Sequence, residues 1–288
     1  MNTCIITSAS NKFFPSVLNL IGSIKTNHSP VIRIFVYDLG LSKIFRKELE
    51  TIEGVTVITL PPFVSFWRSC YTWKSYIFCN PFAELNFYLD AGTQVLRSLD
   101  EIFSIINKDG YIAVSQGVSN KEIIPVDYIE TFKADPAILN ESSVTAGVFG
   151  FKKDGSVSNQ LSSMHEASKQ GYCLGFSKGD QWRNKGVNKT DIVRSCEKFR
   201  HDTTLLNIFL RKDNPNFYAH DGTKYAGWNT PQDHPNQLIW NMRMNYTHLQ
   251  YLPIRYTHKK FSLLAIVNRT IIYVFILLKR MRLVIKGK

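Results

Sequence analysis

A chain of 288 residues that is 44% hydrophobic and 13% aromatic can bury a full core, which excludes a disordered or fibrous protein. Its net charge of +12 calls for an anionic partner, whether nucleic acid, a phosphorylated substrate or acidic lipid. The five cysteines (Cys4, Cys70, Cys79, Cys173 and Cys196) form no C-x-x-C pair, which argues against a disulfide framework or a zinc site and suits a reducing compartment.

The N-terminus, MNTCIITSAS, has no basic segment followed by a long apolar core, so no export signal is expected. The Asn-x-Ser/Thr triplets at Asn27, Asn140, Asn188, Asn245 and Asn268 are accordingly read as chance. Thr3 to Thr7 is apolar and β-branched, a buried first strand. Phe14, Val17, Leu18, Ile21 and Ile24 follow at helical spacing. Val31 to Tyr37 reads as a second strand ending at Asp38, Ser42 to Ile52 as a helix, and Val55 to Leu60 as a third strand. Strands alternating with helices at this spacing predict a parallel sheet with crossover helices.

After Pro61-Pro62 an aromatic-rich stretch carries Tyr71-Thr72-Trp73-Lys74. Asn86 to Leu89 is a further buried strand, cut off by Asp90. Ala91-Gly92 is read as a tight turn that exploits the freedom of glycine. Val95, Leu96, Leu99, Ile102 and Phe103 then recur at helical spacing, with a helix start near Ser98. An acid at the carboxyl end of a buried strand stands where open α/β sheets place their ligands. Tyr111 to Ser115 is another strand, Thr145 to Lys152 a small-residue turn running into a strand, and Ser156 to Gly171 a helix. Gly175 to Thr190 reads as a loop. In Lys198 to Leu210, Leu205, Leu206, Phe209 and Leu210 form one helix face, capped by Thr203 or Asp202. Residues 215–255 lack a clear period and suit irregular structure packed over a site.

Phe261 to Leu278 is almost wholly apolar and is followed by Lys279-Arg280-Met281-Arg282. It is just long enough to span a bilayer, but Arg269 at its centre would be costly there. Ser262, Arg269, Tyr273 and Arg280 share one narrow stripe of the helical wheel. A helix lying in the membrane interface fits this best, with its basic end on anionic headgroups; a helix packed on the domain and a true span are the alternatives. The chain therefore divides into a domain over residues 1–255 and a basic amphipathic tail over 256–288.

Three motifs in order resemble those of GT-A fold glycosyltransferases, nearest to the glycogenin and lipopolysaccharide galactosyltransferase group and related bacterial sugar transferases. YLDAGTQVLRSLDEIF resembles the family's metal-binding D-x-D and following helix, TAGVFGFKK its donor-sugar "NAGV" segment, and DTTLLN its "DQDxLN" segment. The likeness spans residues 3–210 and implies an α/β fold with a mixed sheet flanked by helices, ending here in the amphipathic helix. It implies a hexosyltransferase that moves a sugar from a nucleoside diphosphate donor, UDP first among them, to a saccharide or lipid-linked saccharide. Mn2+ or Mg2+ is the cofactor implied.

Site residues follow from the same likeness. Asp202 would stabilise the departing sugar's positive charge or act as a base. Lys74, Ala146, Gly147 and Gly92 would line the diphosphate and donor sugar, and Thr7, Ser8 and Asp38 the nucleotide. Asp90 would bind the metal with a late histidine, for which His220 is favoured over His201, His234 and His258. The pattern departs from the family twice: Asp90-Ala91-Gly92 lacks the second acid of D-x-D, and Asp202-Thr203-Thr204 keeps only the first acid of "DQD". Metal dependence is expected to be weakened, and retention or inversion stays open. The tail would hold the enzyme on an anionic membrane, at the cytoplasmic face of the plasma membrane, for surface-polysaccharide or lipopolysaccharide assembly.

The rivals are a sugar nucleotidyltransferase and a non-catalytic membrane- or nucleic-acid-binding protein. The first normally has a glycine-rich loop after its first strand, and TSASNK contains no glycine. Against the second, no nucleic-acid recognition motif is present, so no nucleic-acid partner is expected.

Overall fold

The computed structural model describes residues 2–28, 31–175, 196, 198–228 and 234–242, together with the isolated positions 274, 278 and 281. In chain order these form β1 (Thr3–Ala9), α1 (Phe14–Asn27), β2 (Arg33–Asp38), α2 (Lys43–Leu49), β3 (Val55–Thr59), α3 (Trp73–Cys79) and β4 (Leu85–Leu89). There follow β5 (Thr93–Val95), α4 (Asp100–Asp109), β6 (Tyr111–Ser119), α5 (Asn120–Ile123), α6 (Val126–Phe132), β7 (Ser142–Lys152) and α7 (Ser158–Lys169). The series closes with α8 (Asp202–Arg211), α9 (Gly222–Ala226) and β8 (Ile239–Asn241). Six strands form one mixed sheet in the order β3-β2-β1-β4-β7-β6, and β5 pairs with β8. The predicted mixed α/β architecture is present.

The chain divides into two compact units, each built from separated segments. One comprises Thr3–Leu60, Tyr88–Asp100 and the chain from Thr223 onward. Here β1, β2 and β3 run parallel, as the alternation of β-branched runs with helices requires. Ser42 caps α2 by accepting from the Phe45 N–H at 3.3 Å. On α1, Ser23 Oγ accepts from Val95 N at 3.0 Å and Asn27 donates to Val95 O at 3.0 Å, which fixes β5. Val95 is therefore a strand residue paired with Ile239, not part of a helix. The expected helix begins only at Asp100, because β-branched Thr93 and Val95 find strand partners and Ser98 Oγ bonds Asp100 Oδ2 at 2.6 Å.

The other unit comprises Met1–Asn2, Pro61–Phe87 and Glu101–Gly222. In it β6 and β7 are antiparallel. Thr145 to Gly147 is not a turn: β7 runs unbroken from Ser142, and Gly150 provides the room, since a Cβ there would lie 2.4 Å from Ile106 Cδ1. Helix α8 docks on β7 through Asn207, whose side chain accepts from Val144 N at 2.7 Å and donates to Val144 O at 2.8 Å. Asn207 is fully buried. Asn207→Leu strands both Val144 groups, and at about 1–3 kcal/mol per buried unsatisfied group the loss is expected to reach several kcal/mol. Equilibrium urea denaturation measures it directly.

The irregular reading of residues 215–255 is corrected by α9 and β8, which are short enough to leave no periodic signal. Most of the Gly175 to Thr190 loop and all but three positions of the tail lie outside the described residues. Among the described residues no helix is long and apolar enough to cross a membrane.

Candidate active site

The sharpest site feature is a buried ion pair. Lys74 Nζ lies 3.0 Å from Asp202 Oδ2, with the two side chains 4% and 6% exposed. Lys74 sits in the first turn of α3, and its Nζ also donates to the carbonyl of Ala146 on β7 at 3.3 Å. Asp202 is the first residue of α8, where a carboxylate is favoured by the helix dipole. It does not act as the helix cap; that position belongs to His201. Three expected site residues, Lys74, Ala146 and Asp202, are thus brought together from three separate elements. Charged groups are rarely buried without a partner, so the site keeps both charges only because each has the other.

Strained backbone surrounds the pair. Cys70, Tyr71 and His201 have φ of 51°, 59° and 51°, three of the six non-glycine residues with positive φ among the described residues. Each such conformation costs about 1–3 kcal/mol and must be held by its surroundings. For Tyr71 the restraint is local: Lys74 N donates to Tyr71 O at 3.0 Å, and Thr72 Oγ1 to Ser69 O at 2.7 Å. For His201 it is an aromatic bed, with Phe199 edge-on at 5.3 Å and Tyr128 edge-on to Phe199 at 5.6 Å. His201 Nδ1 is 2.8 Å from the carbonyl of Cys173, so this nitrogen donates. Burial pushes the Cys173 thiol up to about 12, so it stays protonated and uncharged beside the ion pair.

In the unit built from Thr3–Leu60 and Tyr88–Asp100 a hydrogen-bonded chain orders Asp90. Ser8 Oγ lies 3.0 Å from the Tyr88 hydroxyl, which donates to Asp90 Oδ1 at 2.8 Å. Thr93 N closes the turn onto Asp90 O at 3.0 Å. Gly92 is buried and is not among the positive-φ glycines, so the turn does not use a left-handed backbone there. Thr7 is wholly buried, and its hydroxyl has no hydrogen-bond partner among the described residues. Asp38 accepts from Gly40 N at 2.8 Å and Leu41 N at 2.7 Å and pairs with Arg46 at 3.1 Å. Its carboxylate is thus both a turn former and an ion-pair partner.

His220 extends the edge of β6: its N–H donates to Ala113 O at 2.8 Å, and its carbonyl accepts from Ser115 N at 2.9 Å. Its ring is tilted against Tyr218 at 4.7 Å, and the carboxylates acting on it are Asp109 and Glu101. Among the described residues no three His, Cys, Asp or Glu side chains gather to hold a metal ion. Asp90 and His220 thus belong to no group of three such side chains among the described residues.

Sequence reasoning assigns no role to Tyr88 or Tyr71 and offers His201 only as an alternative metal ligand. For Tyr88 a signal existed, since residues two apart on a strand share a face and Tyr88 stands two before Asp90. For Tyr71, and for the backbone strain at His201, there was none, because positive φ at a bulky residue leaves no mark in composition.

Burial lowers the imidazole pKa of His28, His165 and His220 from 6.5, partly opposed by Asp100, Glu166, and Asp109 with Glu101 respectively. A depressed histidine pKa favours the neutral ring in the fold, so the unfolded chain takes up protons first as pH falls. The melting temperature is expected to decline as pH drops below 6.5, and His165→Gln to flatten that decline.

No family model and no curated protein matches the sequence. Solved structures do match in fold. The galactosyltransferase LgtC, determined with donor and acceptor sugar analogues, superposes with a TM-score of 0.50 over 84% of this chain and 87% of its own, at 13% identity. Mouse xyloside xylosyltransferase 1 gives 0.52 over 84% and 98%, at 11% identity. The bifunctional glycosyltransferase WbbM gives 0.51 over 93% of this chain, at 12% identity. This chain has a glycosyltransferase fold. It spans only 44% of the WbbM chain, and identities this low speak for the fold alone.

Proposed function

We propose that the chain is a glycosyltransferase that moves a sugar from a nucleoside diphosphate donor, UDP first, to a saccharide or lipid-linked saccharide acceptor. The observation that carries this reading is the buried Lys74–Asp202 pair on a fold shared with sugar transferases. Departure of a diphosphate leaves positive charge on the sugar and negative charge on the leaving group. A fixed carboxylate and a fixed ammonium in a site with little water stabilise such charges far better than solvent does. Asp202, paired with Lys74 at 3.0 Å, is suited to face the developing sugar cation or to take a proton from the acceptor hydroxyl. Asp90, oriented by Tyr88 and Ser8, is assigned to the diphosphate end of the donor, and Asp38 with Ser8 to the nucleotide.

The tail reading is part of the proposal: a peripheral enzyme on the cytoplasmic face of the plasma membrane, acting in surface-polysaccharide or lipopolysaccharide assembly. Val274, Leu278 and Met281 support it, being helical, 49%, 59% and 59% exposed, and spaced to share one helix face.

The test is incubation of the purified full chain with UDP-sugars, with and without Mn2+, following release of UDP. Slow donor hydrolysis is expected; absence of both turnover and nucleotide-sugar binding would refute the reading.

A further inference from the structure

Among the described residues Tyr71 is the one large aromatic at this site that is both exposed and held in a strained backbone. It is 37% exposed, with φ at 59°. Its ring centroid is 5.3 Å from that of Trp73 and 6.1 Å from that of His201, and Lys74 Nζ lies 5.4 Å from the ring centre. A partly exposed aromatic residue thus stands directly beside the buried Lys74–Asp202 pair. A left-handed conformation at a tyrosine is disfavoured, and asparagine or aspartate would occupy it more readily. The chain nevertheless carries a tyrosine there, and what distinguishes it is a flat, electron-rich face.

Pyranose rings have a matching chemistry. Their hydroxyls point outward around the ring, while clustered C–H bonds form an apolar patch on a face, polarised positively toward the quadrupole of an aromatic ring. Polar groups at the edge of an apolar platform then fix orientation and identity. Here the edge groups are Lys74 and Asp202, already matched in charge at 3.0 Å. Such a pair suits neutral hydroxyls; a sugar carboxylate would be set against Asp202.

Resting on the glycosyltransferase reading, we propose that Tyr71 is the stacking platform for the transferred sugar and selects a neutral pyranose over a uronic acid. Tyr71 acts on the sugar and not on the nucleotide.

The test compares binding of UDP, UDP-hexoses and UDP-glucuronic acid to wild type, Tyr71→Phe and Tyr71→Asn by calorimetry, with melting curves for each protein. Asparagine tolerates the left-handed backbone, so this variant keeps the fold while removing the ring. Tyr71→Asn is expected to bind its preferred UDP-hexose about tenfold more weakly, of the order expected for loss of an aromatic stack. Its UDP affinity should be unchanged and its melting temperature should not fall, since asparagine relieves the backbone strain, and Tyr71→Phe should bind like wild type. Wild type is expected to bind UDP-glucuronic acid more weakly than that hexose donor. Equal UDP-hexose affinity in wild type and Tyr71→Asn would overturn the stacking role while leaving the glycosyltransferase reading in place. Equal loss for UDP and UDP-hexose would overturn it too, by showing an effect on the nucleotide or the fold. Wild-type preference for UDP-glucuronic acid would overturn the selectivity. Failure of wild type to bind any of these ligands would overturn the reading and the inference together.

Discussion

Lys74→Met is expected to destabilise the chain by about 3–5 kcal/mol, because it leaves the Asp202 carboxylate buried without its cation. Asp202→Leu should do the same from the other side, stranding the ammonium, which the carbonyl of Ala146 alone cannot neutralise. The double variant Lys74→Met/Asp202→Leu is expected to regain most of that stability, since both desolvation costs disappear together. Activity should behave differently. Each single variant and the double variant should lose sugar transfer by at least about a hundredfold, the usual scale for removing one preorganised electrostatic contact. Urea denaturation and donor hydrolysis on the same preparations separate the two effects. A double variant no more stable than the singles would show that the charges are not coupled, and one that still transfers sugar would remove the pair from the chemistry.

Asp90→Asn is the complementary case, with a large effect on activity and a small one on stability. The asparagine oxygen can still accept from the Tyr88 hydroxyl, so the ordered chain from Ser8 survives and the change in stability should stay below about 1.5 kcal/mol. Loss of the charge should reduce turnover by on the order of a hundredfold or more if Asp90 serves the diphosphate end of the donor. Steady-state kinetics with a UDP-sugar, beside a thermal melt, reads both quantities. Undiminished turnover would release Asp90 from any role at the donor and leave it a strand-end residue held by Tyr88.

Much of the fold was legible because its signals are local. The β-branched runs at Thr3–Ala9 and Val55–Thr59 and the helical spacing of Phe14, Val17, Leu18, Ile21 and Ile24 are set by neighbours within a turn or a strand. The errors came where a distant partner overrode a local pattern. Val95 fits a helical period, yet Ile239, Ser23 and Asn27 hold it as strand, and those contacts lie far away in sequence. Thr145-Ala146-Gly147 looks like a turn but runs through β7, where the flanking Val144 and Phe149 pair with Ser115 and Ala113 of β6.

The candidate site divides in the same way. The sequence by itself placed Asp90 at a strand end, named Lys74 and Asp202, and marked the missing acids of the D-x-D and "DQD" segments, since each is a statement about residue identity and order. Only the tertiary structure decided that Lys74 and Asp202 neutralise each other at 3.0 Å, that Tyr88 orders Asp90, and that Tyr71 stands exposed beside the pair. The physical reason is that burial, charge pairing and backbone strain belong to the packed chain. A lysine reads the same in sequence whether it points into water or into a carboxylate 128 positions away.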